Sequence, residues 1–275
     1  MRNLDNRPIG VFDSGVGGLS VLKKVVEVLP EEEYIYVGDT KRLPYGEKTP
    51  EEIKKYTAEC VEYLYNRNVK AIIIACNTAS SYGLEYVKEL FDIPIVGVVD
   101  HASMDAIELT KNKNIALLAT EATVNSGIYN RYIDKLDPEV TLRSLGAPDL
   151  VIAIEESHLD DEHIEKIIKG YLDEFNSFEY DTLVLACTHF PLARDAFKRV
   201  IKSYNYDRKI RLVDPAFTTV QSLKDILAEK NQLGNLNTKK VEFLITDDVD
   251  KFKKVFNNTF PKNGVVTSFE ELNIY

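Results

Sequence analysis

Ile72-Ile73-Ile74-Ala75-Cys76-Asn77-Thr78 is answered, 111 positions later, by Leu183-Val184-Leu185-Ala186-Cys187-Thr188-His189. Each phrase is a short unbroken apolar run, the pattern of a strand buried on both faces as parallel sheets require. Each ends in a thiol followed by small polar side chains, where α/β folds place their chemistry. A thiolate is a good base and nucleophile, with an unperturbed thiol pKa of about 8.5. Two thiols delivered from equivalent places can face one substrate from opposite sides, which is what stereochemical inversion needs.

The doubling extends beyond the cysteines. Ile9-Gly10-Val11-Phe12 empties into Asp13-Ser14-Gly15-Val16-Gly17-Gly18, and Ile115-Ala116-Leu117-Leu118-Ala119 empties into Thr120-Glu121-Ala122-Thr123. The offset from Asp13 to Thr120 is 107 residues, close to the offset between the cysteines. Two similar α/β halves are therefore expected. Strands read at Tyr34–Val37, Ile95–Val99 and Ile210–Val213 alternate with amphipathic stretches such as Pro50–Asn66 and His163–Phe175. That alternation is the mark of parallel sheets with right-handed crossovers. The break between halves falls near Val98 to Ala102, and the portion from Arg211 onward has too few strands to stand alone. It is expected to pack back on the first half, giving a first domain of 1–98 with 211–275 and a second of 99–210. No low-complexity linker separates them, so the halves should abut in a cleft.

A chain of 275 residues supplies two cores of ordinary size. Net charge of −10 and a pI near 5.1 disfavour a nucleic-acid surface, which would carry a basic patch. No apolar stretch approaches the roughly 20 residues of a membrane span, and the amino terminus lacks a signal-peptide core. With Asp13 so near the start, no long regulatory extension is expected before the first loop. Three cysteines without a CxxC pair give no disulfide framework, and the reading is cytoplasmic.

The glycine-rich Asp13–Gly18 loop fits neither nucleotide motif. Ser20 stands where a dinucleotide fingerprint wants its third glycine, and a P-loop's Lys-Ser/Thr pair is absent. It reads as a strand-to-helix turn whose N–H groups can hold a carboxylate. Asp13 at its mouth reads as a proton-linked partner or ammonium ligand, or as a helix N-cap. Gly38-Asp39-Thr40-Lys41-Arg42-Leu43-Pro44-Tyr45-Gly46 reads as a loop closing over a small polar ligand, or as a surface turn with Arg42 solvated. The four histidines are too scattered for a metal site: His158 and His163 read as exposed, His101 as isolated, and His189 follows Cys187 by two. Cys60, at helical spacing from Tyr56, Tyr63 and Leu64, reads as core packing.

The motifs Gly10-Val11-Phe12-Asp13-Ser14-Gly15-Val16-Gly17-Gly18-Leu19, Gly38-Asp39-Thr40 with Arg42 and Pro44-Tyr45-Gly46, Ala75-Cys76-Asn77-Thr78-Ala79-Ser80 and Cys187-Thr188-His189-Phe190-Pro191-Leu192 together resemble the glutamate racemases. The resemblance runs from Ile9 through the second cysteine loop and more loosely to the end. It implies two flavodoxin-like α/β domains facing each other across a cleft, a cofactor-independent reaction with no metal, and glutamate as substrate. It also implies a role in bacterial peptidoglycan synthesis, and a homodimer is compatible with it.

The resemblance further implies that Cys76 works on the D face and Cys187 on the L face, with Asp13 beside Cys76, His189 beside Cys187, and Glu155 as a further catalytic-site carboxylate. Ser14, Pro44, Tyr45, Gly46, Asn77, Thr78, Thr120, Thr123 and Thr188 match ligand-binding positions. The chain departs from the family's habit at Asp100-His101-Ala102, Ala122 and Ile152, at the interdomain crossing and cleft edge. An aspartate racemase, another two-cysteine isomerase or decarboxylase of the same fold, and more distantly a non-enzymatic Rossmann-like binding module are the alternatives.

Overall fold

Residues 4–156, 162–203, 209–260 and 265–274 are described by the computed structural model. The apolar runs become strands, and every pairing among them is parallel. The first sheet contains β1 (Ile9–Asp13), β2 (Tyr34–Gly38), β3 (Ala71–Ile74) and β4 (Ile95–Gly97) in the order β2-β1-β3-β4. The second contains β5 (Asn114–Ala119), β6 (Thr141–Gly146), β7 (Thr182–Ala186) and β8 (Arg211–Val213) in the order β6-β5-β7-β8. The two halves thus repeat one strand order, and in each the glycine- or threonine-bearing loop lies beside the cysteine-bearing loop. Phe12 pairs with Ile74 and Ala119 with Ala186, so those loops leave neighbouring strands at the same carboxyl end.

Helices cover both faces of each sheet. Among them, α1 (Leu19–Val28), α2 (Pro50–Asn66) and α3 (Asn77–Leu90) flank the first. Helix α2 starts where the sequence dictates: Thr49 accepts from the Glu52 N–H at 3.2 Å, the Glu52 carboxylate accepts from the Thr49 N–H at 2.9 Å, and Pro50 takes the first turn. The strand read through Val99 stops at Gly97, and α4 (Val99–Leu109) begins there. Val99, Ala102 and Ala106 of α4 already pack with Ile115 and Val184, in the core of the second sheet.

The second half continues with α5 (Glu121–Ser126), α6 (Ile128–Leu136), α7 (Pro148–Glu156), α8 (Glu162–Asp173) and α9 (Arg194–Ser203). Arg211–Val213, read as opening the returning segment, is instead the edge strand of the second sheet, paired with β7. The return comes after it, where α10 (Ala216–Glu229) lays Val220, Leu223 and Leu227 into the apolar layer containing Leu22, Val25 and Val26 of α1. Strands β9 (Lys239–Ile245) and β10 (Val265–Glu271) then extend the first sheet beyond β2, with α11 (Val249–Thr259) between them. No helix among the described residues is long and apolar enough to cross a membrane.

Candidate active site

The two thiols leave the carboxyl ends of β3 and β7 and are nearly fully buried, Cys76 4% and Cys187 6% exposed. Cys76 is the N-cap of α3: its sulfur accepts from the Ala79 N–H at 3.4 Å, and its S–H reaches Ser14 Oγ at 3.5 Å. Cys187 Sγ lies 3.6 Å from His189 Nδ1, and His189 Nε2 lies 2.9 Å from Glu155 Oε1. Glu155 comes from α7, and its other oxygen lies 3.6 Å from Lys251 Nζ on α11. The second thiol therefore heads a chain of imidazole, carboxylate and ammonium, while the first sits between a hydroxyl and one backbone amide.

Asp13 is fully buried and belongs to both loops. Its Oδ2 accepts from the N–H groups of Gly15 and Gly18 at 3.0 and 2.9 Å, and its Oδ1 accepts from Thr188 Oγ1 at 3.2 Å. It thus holds the glycine turn in shape and ties it to the second cysteine loop, rather than hydrogen-bonding Cys76 directly. The absence of side chains in the glycine turn makes this approach feasible. A Cβ on Gly17 would stand 2.4 Å from Thr188 Oγ1 and 2.9 Å from the His189 backbone nitrogen. A Cβ on Gly46 would meet Thr120 Cβ at 3.0 Å, so the same economy lets the Tyr45-Gly46 turn reach the second half.

Thr78, Thr120 and Thr123 form a hydroxyl triangle between the halves, with Thr78 2.8 Å from Thr120, 3.2 Å from Thr123, and Thr120 3.0 Å from Thr123. Thr120 also caps α5 by accepting from the Thr123 N–H at 3.2 Å. The Asp39–Gly46 loop is fixed from below. Arg42 Nε donates to Asp39 Oδ2 at 2.6 Å, its guanidinium also pairs with Glu59, and it lies 4.1 Å over the Tyr56 ring. Tyr45 Oη donates to the same Asp39 oxygen at 2.5 Å. Arg42 is therefore a brace and not a solvated turn residue. Cys60 lies in the apolar layer under this loop, fully buried, as read.

Ser14, Pro44, Tyr45, Gly46, Asn77, Thr78, Thr120, Thr188 and His189 line one small cavity of about 30 Å3 together with both Cys76 and Cys187. Asp13, Thr123 and Glu155 stand one hydrogen bond behind it, through Thr188, Thr78 and His189. Glu155 also lines a neighbouring cavity of about 230 Å3 with Val16, Leu43 and Lys251. A cavity of about 680 Å3 between α1, α4 and Arg194 contains neither thiol. Among the described residues no histidine, cysteine and carboxylate group is arranged to hold a metal. His163 is exposed on α8, His101 is buried with Nδ1 3.0 Å from the Gly97 carbonyl, and His158 lies outside the described residues.

Burial and neighbouring charge set the two thiols apart. Burial, reinforced by the Asp13 carboxylate, pushes the Cys76 thiol up to about 12, against the Ala79 N–H and Ser14. Burial opposes charge on His189, but its hydrogen bonds to Cys187 and Glu155, and their charges, push it up to about 10. Burial would raise Glu155, but the bond to His189 and the Lys251 charge hold it below the usual carboxylate range. Asp13 is raised by burial, which outweighs His189 and its three hydrogen-bond donors. His189 is thus held toward its protonated form and Cys76 toward its neutral thiol.

A sequence profile described as Asp/Glu/Hydantoin racemase matches residues 9–223. The chain belongs to that racemase family. This racemase is 38% identical over 252 residues to glutamate racemase 2 of Caldanaerobacter subterraneus subsp. tengcongensis, covering 91% of this chain and 92% of the relative. Its fold matches the crystal structure of glutamate racemase isoform RacE1 from Bacillus anthracis with a TM-score of 0.89, at 31% identity over 98% of both chains. It also matches the glutamate racemase of Francisella tularensis subsp. tularensis, solved in complex with D-glutamate, with a TM-score of 0.88 at 32% identity, again over 98% of both chains.

Sequence reasoning missed the racemase's Tyr129, Lys251, Leu43 and Val151. Val151 and Leu43 line the thiol cavity, Lys251 pairs with Glu155, and Tyr129 bonds Asn77. Leu43 lay inside a loop already singled out. The others sit on amphipathic helices whose own pattern carries no sign of a site; only the tertiary fold brings them there.

Proposed function

We propose that this racemase interconverts L- and D-glutamate by two-base proton transfer between Cys76 and Cys187, without an added cofactor. The observation that carries the reading is the pair of thiols lining one cavity with unlike partners, Ser14 and the Ala79 N–H at Cys76 and the His189 imidazole 3.6 Å from Cys187. The relatives' names support glutamate as the substrate.

The α-hydrogen of an amino acid is very weakly acidic, so its removal needs a base on one face and stabilisation of the charge that forms on the carboxylate. The donors for that charge are the hydroxyls of Ser14 and Thr78 and the amide of Asn77. In the L-to-D direction Cys187 acts as the base beside His189, and Cys76 enters with its proton. Cys187 removes the α-proton from one face, and the Cys76 thiol returns a proton to the other. The enzyme is left in the complementary protonation state, which accepts D-glutamate, so the protons balance over each half-cycle. His189, 3.6 Å from Cys187, is that thiol's proton partner, Asp13 acts on Cys76 through its charge, and Glu155 orients His189 and stabilises its charge.

The same reading places the enzyme in the bacterial cytoplasm, supplying D-glutamate for peptidoglycan. It takes the two α/β domains as meeting at Val98 and again after Val213. Circular dichroism of the purified protein mixed with L-glutamate, D-glutamate, or either enantiomer of aspartate tests the substrate. The glutamate signals should decay to zero from both sides. A preparation that racemises aspartate and leaves glutamate untouched overturns the reading.

A further inference from the structure

We infer that Tyr129 is a positioning residue that fixes the Asn77 side chain as a hydrogen-bond donor toward the substrate, and so selects a carboxylate at that point of the site. The inference rests on the glutamate-racemase reading and deepens it.

The Tyr129 hydroxyl donates to Asn77 Oδ1 at 2.6 Å, and the two residues are 2% and 3% exposed. The tyrosine ring is held in the core of the second sheet with Ile133 and Ala186, whereas Asn77 opens α3 on the first half, next to Cys76. The bond therefore crosses between the halves.

A primary amide has one acceptor end and one donor end and can turn to present either. Tyr129 removes that freedom. A buried phenol has one proton to place, and burial keeps the group protonated. Among the described residues Asn77 Oδ1 is the acceptor it reaches. With Oδ1 engaged, the NH2 end is the one left to face the cavity that Asn77 lines with both thiols; among the described residues Nδ2 has no hydrogen-bond partner and is not a sealed, orphaned atom. A donor pair without an acceptor complements a carboxylate oxygen of the bound substrate. Because the orienting group belongs to the other half, the donor is set when the halves come together.

Three variants test this by steady-state racemisation of each enantiomer. Tyr129→Phe keeps the ring and removes only the hydroxyl, so KM should rise about three- to tenfold for both enantiomers with a smaller change in kcat, the scale of one lost neutral hydrogen bond. In an Asn77→Ala background the same change should add nothing, because its path of action is gone; a merely structural role for the hydroxyl would cost the same in both backgrounds. Asn77→Asp keeps an acceptor for Tyr129 but turns an anion toward the cavity, and should raise KM well beyond Asn77→Ala. Unchanged KM in Tyr129→Phe, additive effects, or an Asn77→Asp enzyme that binds glutamate as well as Asn77→Ala overturns the inference. The Asn77→Asp comparison decides even if Tyr129→Phe does not fold. Wild-type protein without glutamate racemisation would instead sink the functional reading, before any variant is compared.

Discussion

The imidazole of His189 is pushed up to about 10 from an ordinary 6.5, in a buried place where a lone imidazolium would be costly. What holds its proton is the company of Cys187 at 3.6 Å and Glu155 at 2.9 Å. The folded state binds that proton more tightly than the unfolded chain does. Its contribution to stability is complete below pH 6.5 and is lost as pH rises to about 10, on the order of a few kcal/mol. Urea midpoints measured across that window should fall for the wild type and fall less for His189→Asn; parallel curves would mean the imidazolium is not the group responsible. The same variant should slow racemisation unequally in the two directions, with compensating changes in KM because the equilibrium ratio is fixed. The thiols themselves give the plainest residue-scale expectation. Cys76→Ala and Cys187→Ala should each abolish racemisation, and either variant working near the wild-type rate, followed by deuterium uptake at the α-carbon, would remove the two-base mechanism.

At the scale of elements, the central strands were legible because burial on both faces leaves a continuous apolar run: Ile72–Ile74 and Leu183–Leu185 announce themselves, and α2 begins and ends at the residues its caps and pattern indicate. Strands β6, β9 and β10 did not. Thr141–Gly146 lies at a sheet edge and is exposed or half-buried along its whole length, and Val265–Glu271 is likewise an edge strand with no buried residue. Lys239–Ile245 opens on two lysines. Half-buried edges carry no continuous apolar run, so a reading that looks for one passes over them. The site divides the same way: residues on loops after central strands were legible, whereas Tyr129 and Lys251 reach the site only because distant helices fold over those loops. One device fastening such elements is a buried ion pair remote from the chemistry. Lys70 Nζ, just before β3, lies 2.6 Å from Glu32 Oε2 and donates to the carbonyls of Asp5 and Gln232 at 2.5 and 2.7 Å. Glu32 in turn accepts from the Gly234 N–H at 2.7 Å, so four segments meet at one charge pair. Lys70→Met strands the Glu32 carboxylate and should cost about 3–5 kcal/mol. Denaturant unfolding should show that loss while the activity of the folded fraction stays near wild type.

At the scale of the whole molecule, the contacts that assemble the site are those that join the halves. Thr188 to Asp13, the Thr78–Thr120–Thr123 triangle, Tyr129 to Asn77 and Lys251 to Glu155 all cross from one sheet's elements to the other's. The cavity they enclose, about 30 Å3, has room for about one or two waters and not for an amino acid with two carboxylates. On the domain division proposed above, substrate enters when the halves part at the crossings near Val98 and after Val213. Opening breaks the hydrogen bonds that set Asp13, Asn77 and Glu155, so catalytic competence and closure arise together. Closure on substrate also has a geometric limit. A base works with its reacting atom about 3 to 3.5 Å from its target, and two bases on opposite faces of one carbon add those distances. A crystal structure with D-glutamate bound should place the sulfurs of Cys76 and Cys187 about 6 to 8 Å apart on either side of the α-carbon, with the Asn77 amide donating to a carboxylate oxygen. Sulfurs more than about 12 Å apart around a bound ligand would leave no carbon within reach of both, and proton exchange between two thiols could not then be how this racemase inverts its substrate.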